Sequence, residues 1–458
     1  MLQDVQHVVV PGNDHGLRGR RPVDGRLVAE PTIEAVGIGA RPAIRGSKAT
    51  LIRLSHPRRV RTARRKGYAS HSPSRAGALL NQKPLATRTA FDGLLGTLHE
   101  ISEQLRTGAR GLDEEVDAVE GFRNALHLLS VATDCYLEGD PERPAFLRLV
   151  SPTRKMMGDN PDAIYHFARL RGDRRYRVTG RRGDCAYLSF TVHGRAEDGR
   201  LGAAAEPALA DVNDRGMRLA EDGSFEVILA AERPAGATNW IPLSPTAASL
   251  IVRHYWERET SVAADAGARV DLAIEPLDPP GVRPPIDDAG LAARIRDVNA
   301  YLRGTTLDMV EMSALPLPFV SRTPNELPTP TIFRTAGQAS WGAVDIAYAM
   351  APYRLEDDEA LVMEGRFPAC AYASVVLWNR HMQCLEYRDR PSWRNRANTK
   401  TEADGSYRMV IAHRDPGVAN WLDTEGHRDG TIFWRFLLPQ GEIEKPRCRL
   451  VPLAELAR

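Results

Sequence analysis

The chain has 458 residues, 43% of them hydrophobic, with 61 basic and 59 acidic side chains and a formal net charge of +2. This is enough chain for two or three domains and for a sizeable buried core. It offers no apolar run long enough to span a membrane, and its five scattered cysteines form no Cys-x-x-Cys pair, which argues against a zinc ribbon or a disulfide framework.

Taken from the beginning, residues 1–80 hold 15 basic against 5 acidic side chains, a net of +10, so the rest of the chain is mildly acidic. Residues 1–85 show no sustained periodicity, and 58–66 (RRVRTARRK) is their most basic stretch. Such composition predicts a disordered leader. Contact with nucleic acid through it is the weaker reading, because only Tyr68 stands nearby for base stacking. Of the 61 basic residues 55 are Arg and only 6 Lys, the usage of a GC-rich bacterial genome. The N-terminus lacks the apolar core of a signal peptide, and the expected location is cytoplasmic.

Residues 86–150 read as helical. Leu94, Leu98, Ile101 and Leu105 step by four and three; after Gly108 and Gly111, Leu112, Val116, Val119, Phe122, Leu126 and Leu129 resume the spacing. Both stripes are expected to face the core. From 151 to 275 the texture changes to short β-branched and aromatic runs at 176–179, 187–192 and 225–229. A Pro-rich linker over 276–339 contains one helix, capped by Asp287 or Asp288, carrying Leu291, Ile295, Val298 and Leu302 and closed by Gly304. A second strand-rich segment fills 340–458.

The two strand-rich segments repeat one pattern about 180–185 positions apart. Gly180-Arg181 followed by Cys185-Ala186-Tyr187-x-Ser189 returns as Gly365-Arg366 followed by Cys370-Ala371-Tyr372-x-Ser374. Asp222-Gly223-Ser224-Phe225 returns as Asp404-Gly405-Ser406-Tyr407, and Asn239-Trp240 as Asn420-Trp421. Asp-Gly suits a tight hairpin. In a regular strand Cys and Tyr would share one face, Asn suits a left-handed turn position, and Trp would fill the space between sheets. The predicted fold is mainly β with helical segments, an α+β chain of two duplicated jelly-roll-like β-sandwich halves.

The passage Pro416-Gly417-Val418-Ala419-Asn420-Trp421-Leu422, preceded by Asp404-Gly405-Ser406-Tyr407, resembles the bacterial domain-of-unknown-function 1214 family. Asp159-Asn160-Pro161-Asp162-Ala163-Ile164-Tyr165 is similar to the entry motif of its companion family 1254. The resemblance, over roughly 140–452, implies jelly-roll-like β-domains beside helices and carries over no catalytic residues.

Counting on from each Trp sets Ile251-Val252-Arg253 beside Ile432-Phe433-Trp434, so Arg253-His254-Tyr255 opposes Trp434-Arg435-Phe436 where the halves differ most. That difference points to a site. Arg253 and Tyr255 share a strand face and can hold a carboxylate, and Trp240, Trp421 and Arg435 complete the predicted ligand-binding set. Among His166, His254, His381, His413 and His427 no metal-ligand spacing occurs, and no metal or cofactor is expected. His413, two residues before Asp415, suggests a base with its orienter; His254 and Tyr165 are the other catalytic candidates. No GxSxG elbow, dinucleotide loop or P-loop is present. The expected function is binding of a small hydrophobic or aromatic molecule in a cleft between the halves. The alternatives are a cofactor-independent hydrolase or lyase acting on a hydrophobic acid, and nucleic-acid contact through the leader. Whether the chain is an enzyme, and whether it forms a homo-oligomer, is left open.

Overall fold

A computed structural model describes residues 84–108, 111–112, 114–203, 205–309, 316–332 and 341–456. The basic leader and its nucleic-acid reading lie outside the described residues, Pro84 and Leu85 apart. Among the described residues no helix is long and apolar enough to cross a membrane.

Among the described residues three α-helices precede or separate the strands: α1 (Ala86–Arg106), α2 (Glu115–Ala132), running on into a π-helical turn at Thr133–Glu138, and α3 (Asp288–Thr305). Asp287 caps α3 by accepting from Gly290 N at 2.7 Å. Its neighbour Asp288 caps α1 instead, accepting from Ala86 N at 2.8 Å and Thr87 N at 2.9 Å. One Asp-Asp pair thus fixes both helix starts. The expected stripe of α2 is overturned, since Val116, Val119, Phe122 and Leu126 are exposed. The helix turns inward a face of Asp117, Gly121, Asn124, Ala125 and Leu128 instead. Close approach decides this: a Cβ on Gly121 would stand 2.3 Å from Leu105 Cδ2.

The first half comprises β1 (Leu147–Arg148), β2 (Ala163–Arg169), β3 (Tyr176–Arg181), β4 (Tyr187–Gly194), β5 (Ala208–Asn213), β6 (Ser224–Ala230), β7 (Trp240–Pro242), β8 (Ala247–Tyr255) and β9 (Leu272–Pro276). Its inner sheet runs β1-β2-β8-β4-β5 and its outer sheet β7-β6-β3-β9. The second half repeats this with β10 (Thr331–Ile332), β11 (Ile346–Arg354), β12 (Glu359–Gly365), β13 (Tyr372–Trp378), β14 (Trp393–Asn395), β15 (Tyr407–Ala412), β16 (Trp421–Asp423), β17 (Asp429–Leu437) and β18 (Arg447–Pro452). Its sheets run β10-β11-β17-β13-β14 and β16-β15-β12-β18, the same order strand for strand. Each half is a β-sandwich with its own apolar core, around Phe190, Val227 and Val252 in the first and Met363, Met409 and Trp434 in the second.

The repeated blocks do structural work, though not always as expected. Gly223 and Gly405 adopt φ of 77° and 82°, the left-handed geometry their turns require. Cys185 joins the sandwich core while Tyr187 faces outward, because the regular strand begins only at Tyr187. Asn239 and Asn420 each clamp backbone groups through the side-chain amide instead of taking a left-handed turn conformation. Trp240 and Trp421 lie outside the sandwich, where each indole N–H donates to a carbonyl (Ala230 and Ala412) at 3.0 Å. They fasten the short parallel edge strands β7 and β16 and do not fill the space between sheets.

β4, β8 and β13 are buried along their whole length. One face of each inner sheet meets its sandwich core; the other meets the helices, loops or the opposite half.

Candidate functional site

Strand pairing corrects the alignment across the repeat. Arg253 pairs with Tyr165 on one side and Ser189 on the other, and Ser189 with Asn213. Arg435 pairs with Tyr348 and Ser374, and Ser374 with Asn395. Arg253 is therefore the counterpart of Arg435, because the segment after Trp421 is one residue longer than that after Trp240. A Tyr-Arg-Ser-Asn row crosses each inner sheet, and these rows meet between the halves. The contrast of Arg253 with Trp434 was a one-residue slip, which in a strand changes the face.

The contacts made by these rows are reciprocal. Tyr187 donates to the Asp345 carboxylate at 2.7 Å, and Asn213 Nδ2 donates to the same group at 2.7 Å. Tyr372 donates to Asp162 at 2.8 Å, and Asn395 Nδ2 to Asp162 at 3.1 Å. Arg253 Nη2 donates to Trp341 O at 2.5 Å, four residues before Asp345; Arg435 Nη2 donates to Gly158 O at 2.6 Å, four residues before Asp162. Each half thus grips the entry loop of the other through equivalent residues, as an isologous dimer interface does. Burial pushes the Asp162 carboxyl up to about 8, against hydrogen bonds from Tyr372 and Asn395 that pull it down.

Four predicted residues, Tyr165, Arg253, Tyr255 and Arg435, are brought together here. The Tyr165 and Tyr255 hydroxyls lie 3.0 Å apart. Burial drives the Tyr165 phenol well above its usual range; Tyr255 adds to this, while Arg435 and Arg253 oppose it. Tyr348, missed in the sequence, completes the group; the repeated Asp-x-x-Tyr of Asp162-Tyr165 and Asp345-Tyr348 was the signal for it. His254 projects into the first sandwich, stacked on Trp256 at 5.9 Å, and burial pushes it down to about 3. His413 does not pair with Asp415, because β15 ends at Ala412. Its Nδ1 lies 2.6 Å from Thr424 Oγ1, and Asp415 accepts from Gly417 N instead. Trp240 and Trp421 are far from the group in the topology, on outer sheets.

The contact between the halves is filled by Ala163, Tyr187, Tyr255, Ile346, Tyr372 and Leu437, all buried. A cavity of about 350 Å³ lies further along the inner face of the second half, where α1, α2 and the end of α3 cover it. Its apolar wall includes Leu105, Ala125, Met157, Met309, Met350 and Met382. Arg322, Arg354 and Arg380 are set around it, and Met350 and Thr431 place it beside the Tyr348-Arg435 row. Its volume is at the lower end of the about 300–1,000 Å³ typical of ligand pockets.

Two polar groups on the cavity wall come from the inward face of α2 and the loop it touches. Asn124 Oδ1 is buried with no hydrogen-bond partner among the described residues. His381 Nε2 lies 2.7 Å from Asp117 O; a carbonyl only accepts, so Nε2 carries the proton and Nδ1 is the acceptor. Burial holds His381 below its usual pKa, which favours the neutral ring. Neighbouring His427 Nε2 is 3.1 Å from Glu120 Oε2 and ties α2 to the second half. Among the described residues no cluster of three His, Cys, Asp or Glu side chains is placed to hold a metal ion.

The model of a family described as "Protein of unknown function (DUF1214)" matches residues 166–259 and again 352–441, once in each sandwich. A crystal structure of an uncharacterised protein from Burkholderia cenocepacia is 32% identical over 80% of this chain and 97% of that one, with a TM-score of 0.67. A Vibrio parahaemolyticus protein is 13% identical over 72% of this chain and 98% of that one, with a TM-score of 0.42. No curated protein matches the chain.

Proposed function

We propose that this chain, which belongs to the DUF1214 family, binds a small hydrophobic molecule carrying an acidic group in the cavity between its helices and its second sandwich. The observation that carries the reading is the cavity's make-up: methionine and leucine walls for an apolar body, with Arg322, Arg354 and Arg380 around them to attract an anion. Arg354 also pairs with Asp429 at 2.7 Å, which fixes that guanidinium at the cavity rim. This moves the expected site from between the halves to one end of the same sheet face. All five cysteines are free thiols, which supports a reducing, cytoplasmic setting.

Thermal melting tests the reading with octanoate and phenylacetate against octanol and phenylacetamide. The acids should raise the melting temperature saturably and the neutral analogues much less. Gln104→Trp, which fills the cavity from α1, should abolish the rise, and Ala125→Phe serves if the first variant is poorly folded. Equal shifts in wild type and both variants would refute the site.

A second reading, hydrolase or lyase chemistry on such an acid, is favoured by one observation, the His381 Nδ1 acceptor on the cavity wall. On an identified substrate His381→Asn should keep binding and lose turnover by at least about 100-fold, the usual scale of general base catalysis; unchanged turnover removes this reading.

A further inference from the structure

We propose that the junction of the two halves holds a small monoanion, a halide or a short carboxylate, between Arg253 and Arg435. This site is separate from the cavity and needs no apolar body in its ligand.

The inference begins from charge. Both arginines are buried, at 2% and 4% exposure, and neither has a carboxylate within ion-pair distance among the described residues. A buried cation without a counter-charge is costly. The nearby carboxyls are committed elsewhere: Asp345 to Tyr187 and Asn213, Asp162 to Tyr372 and Asn395, and Asp211 to Thr191. Asp159 takes the Cys384 N–H on Oδ1 and leaves Oδ2 buried without a partner among the described residues, and burial raises its pKa.

Donors that remain are in excess. Arg435 Nη1 is buried without a partner among the described residues, while Arg253 uses two of its five N–H groups, on Thr191 Oγ1 at 2.6 Å and on Trp341 O. The Ser189 and Ser374 hydroxyls lie against Tyr187 and Tyr372 but make no well-formed hydrogen bond. Of the Tyr165–Tyr255 pair only one proton is used between the two oxygens. An assembly in which guanidinium and hydroxyl donors outnumber the one spare carboxylate oxygen, Asp159 Oδ2, favours an anion.

There is also room. Tyr165, Tyr348 and Trp341 stay partly exposed although Ala163, Phe167, Ile346 and Ala349 beside them are wholly buried. Both guanidiniums act on the Tyr165 and Tyr348 phenols, so the same space is seen from both sides.

The test exchanges acetate for gluconate at constant ionic strength and pH, and follows the melting temperature of the full chain. Acetate should raise it saturably, chloride or bromide should do the same, and gluconate, too large to enter, should not. Arg435→Gln should lose the dependence; Tyr348→Phe, which keeps the ring, should weaken the acetate affinity at least fivefold. Bromide-soaked crystals should give an anomalous peak in hydrogen-bond contact with Arg435 Nη1. Gln104→Trp should leave the acetate effect intact, which separates this site from the cavity. No saturable rise in wild type, or an equal rise in Arg435→Gln and Tyr348→Phe, would overturn the proposal.

Discussion

Asp162 and Asp345 show how single side chains hold the two sandwiches together. Each accepts from a tyrosine and an asparagine of the opposite half in a buried setting. Replacing Asp345 with Ala strands two donors and should cost about 3 kcal/mol in chemical denaturation, the range for unsatisfied buried groups. Asp162 adds a pH dependence. Its carboxyl is pushed up to about 8 from an ordinary 3.8, so between those values the folded chain holds a proton that the unfolded chain releases. Stability from this group must therefore fall as pH rises from about 4 to about 8. Asp162→Asn cannot ionise, and its melting temperature should gain on wild type across that interval; parallel curves would contradict the assignment. At this scale the sequence was half legible. Arg253, Tyr255, Arg435 and Tyr165 stood out as polar residues in apolar strands, but the one-residue slip after the Trp concealed that Arg253 and Arg435 are counterparts.

Helix α2 depends on another pair. His427 is raised above its usual 6.5 because the Glu120 carboxylate 3.1 Å away outweighs burial, and Glu120 is lowered below its usual 4.5 because His427 and the Asn379 amide outweigh burial. The Glu120 contribution is lost as pH falls below about 4.5, and the His427 contribution as pH rises through and beyond 6.5. The stability gap between wild type and His427→Gln should be widest near pH 5.5 and close by pH 8.5; a gap independent of pH would show that the contact is merely steric. At the start of α1, Asp288→Ala should cost about 1 kcal/mol, as loss of a helix cap does, and should speed hydrogen exchange of residues 86–92. The cap of α3 was narrowed to Asp287 or Asp288 by its place before an apolar run, the structure assigning it to Asp287. The helices themselves were readable from spacing. The buried face of α2 was not. Apolar periodicity marks a stripe, but Gly121 goes inward because Leu105 of α1 and His381 of the second half leave no room for a larger side chain, and Asn124 beside it lines the cavity.

For the whole molecule, the duplication read from turn and core residues corresponds to two sandwiches with identical strand order. What could not be read was the space left over. The cavity draws on α1, α2, the end of α3 and two strands of the second half, residues scattered from Ile101 to Thr431, and no local pattern connects them. Reciprocal gripping of the entry loops should make the halves unfold in one transition, and Asp345→Ala should split or broaden it in calorimetry. The cavity and its acid-binding role are tested most directly by a crystal structure with octanoate at saturating concentration. Density should fill the space bounded by Leu105, Ala125 and Met350, with the carboxylate against Arg322, Arg354 or Arg380. An empty cavity under those conditions, or octanoate bound only in the shallow groove beside Trp421, would contradict the account.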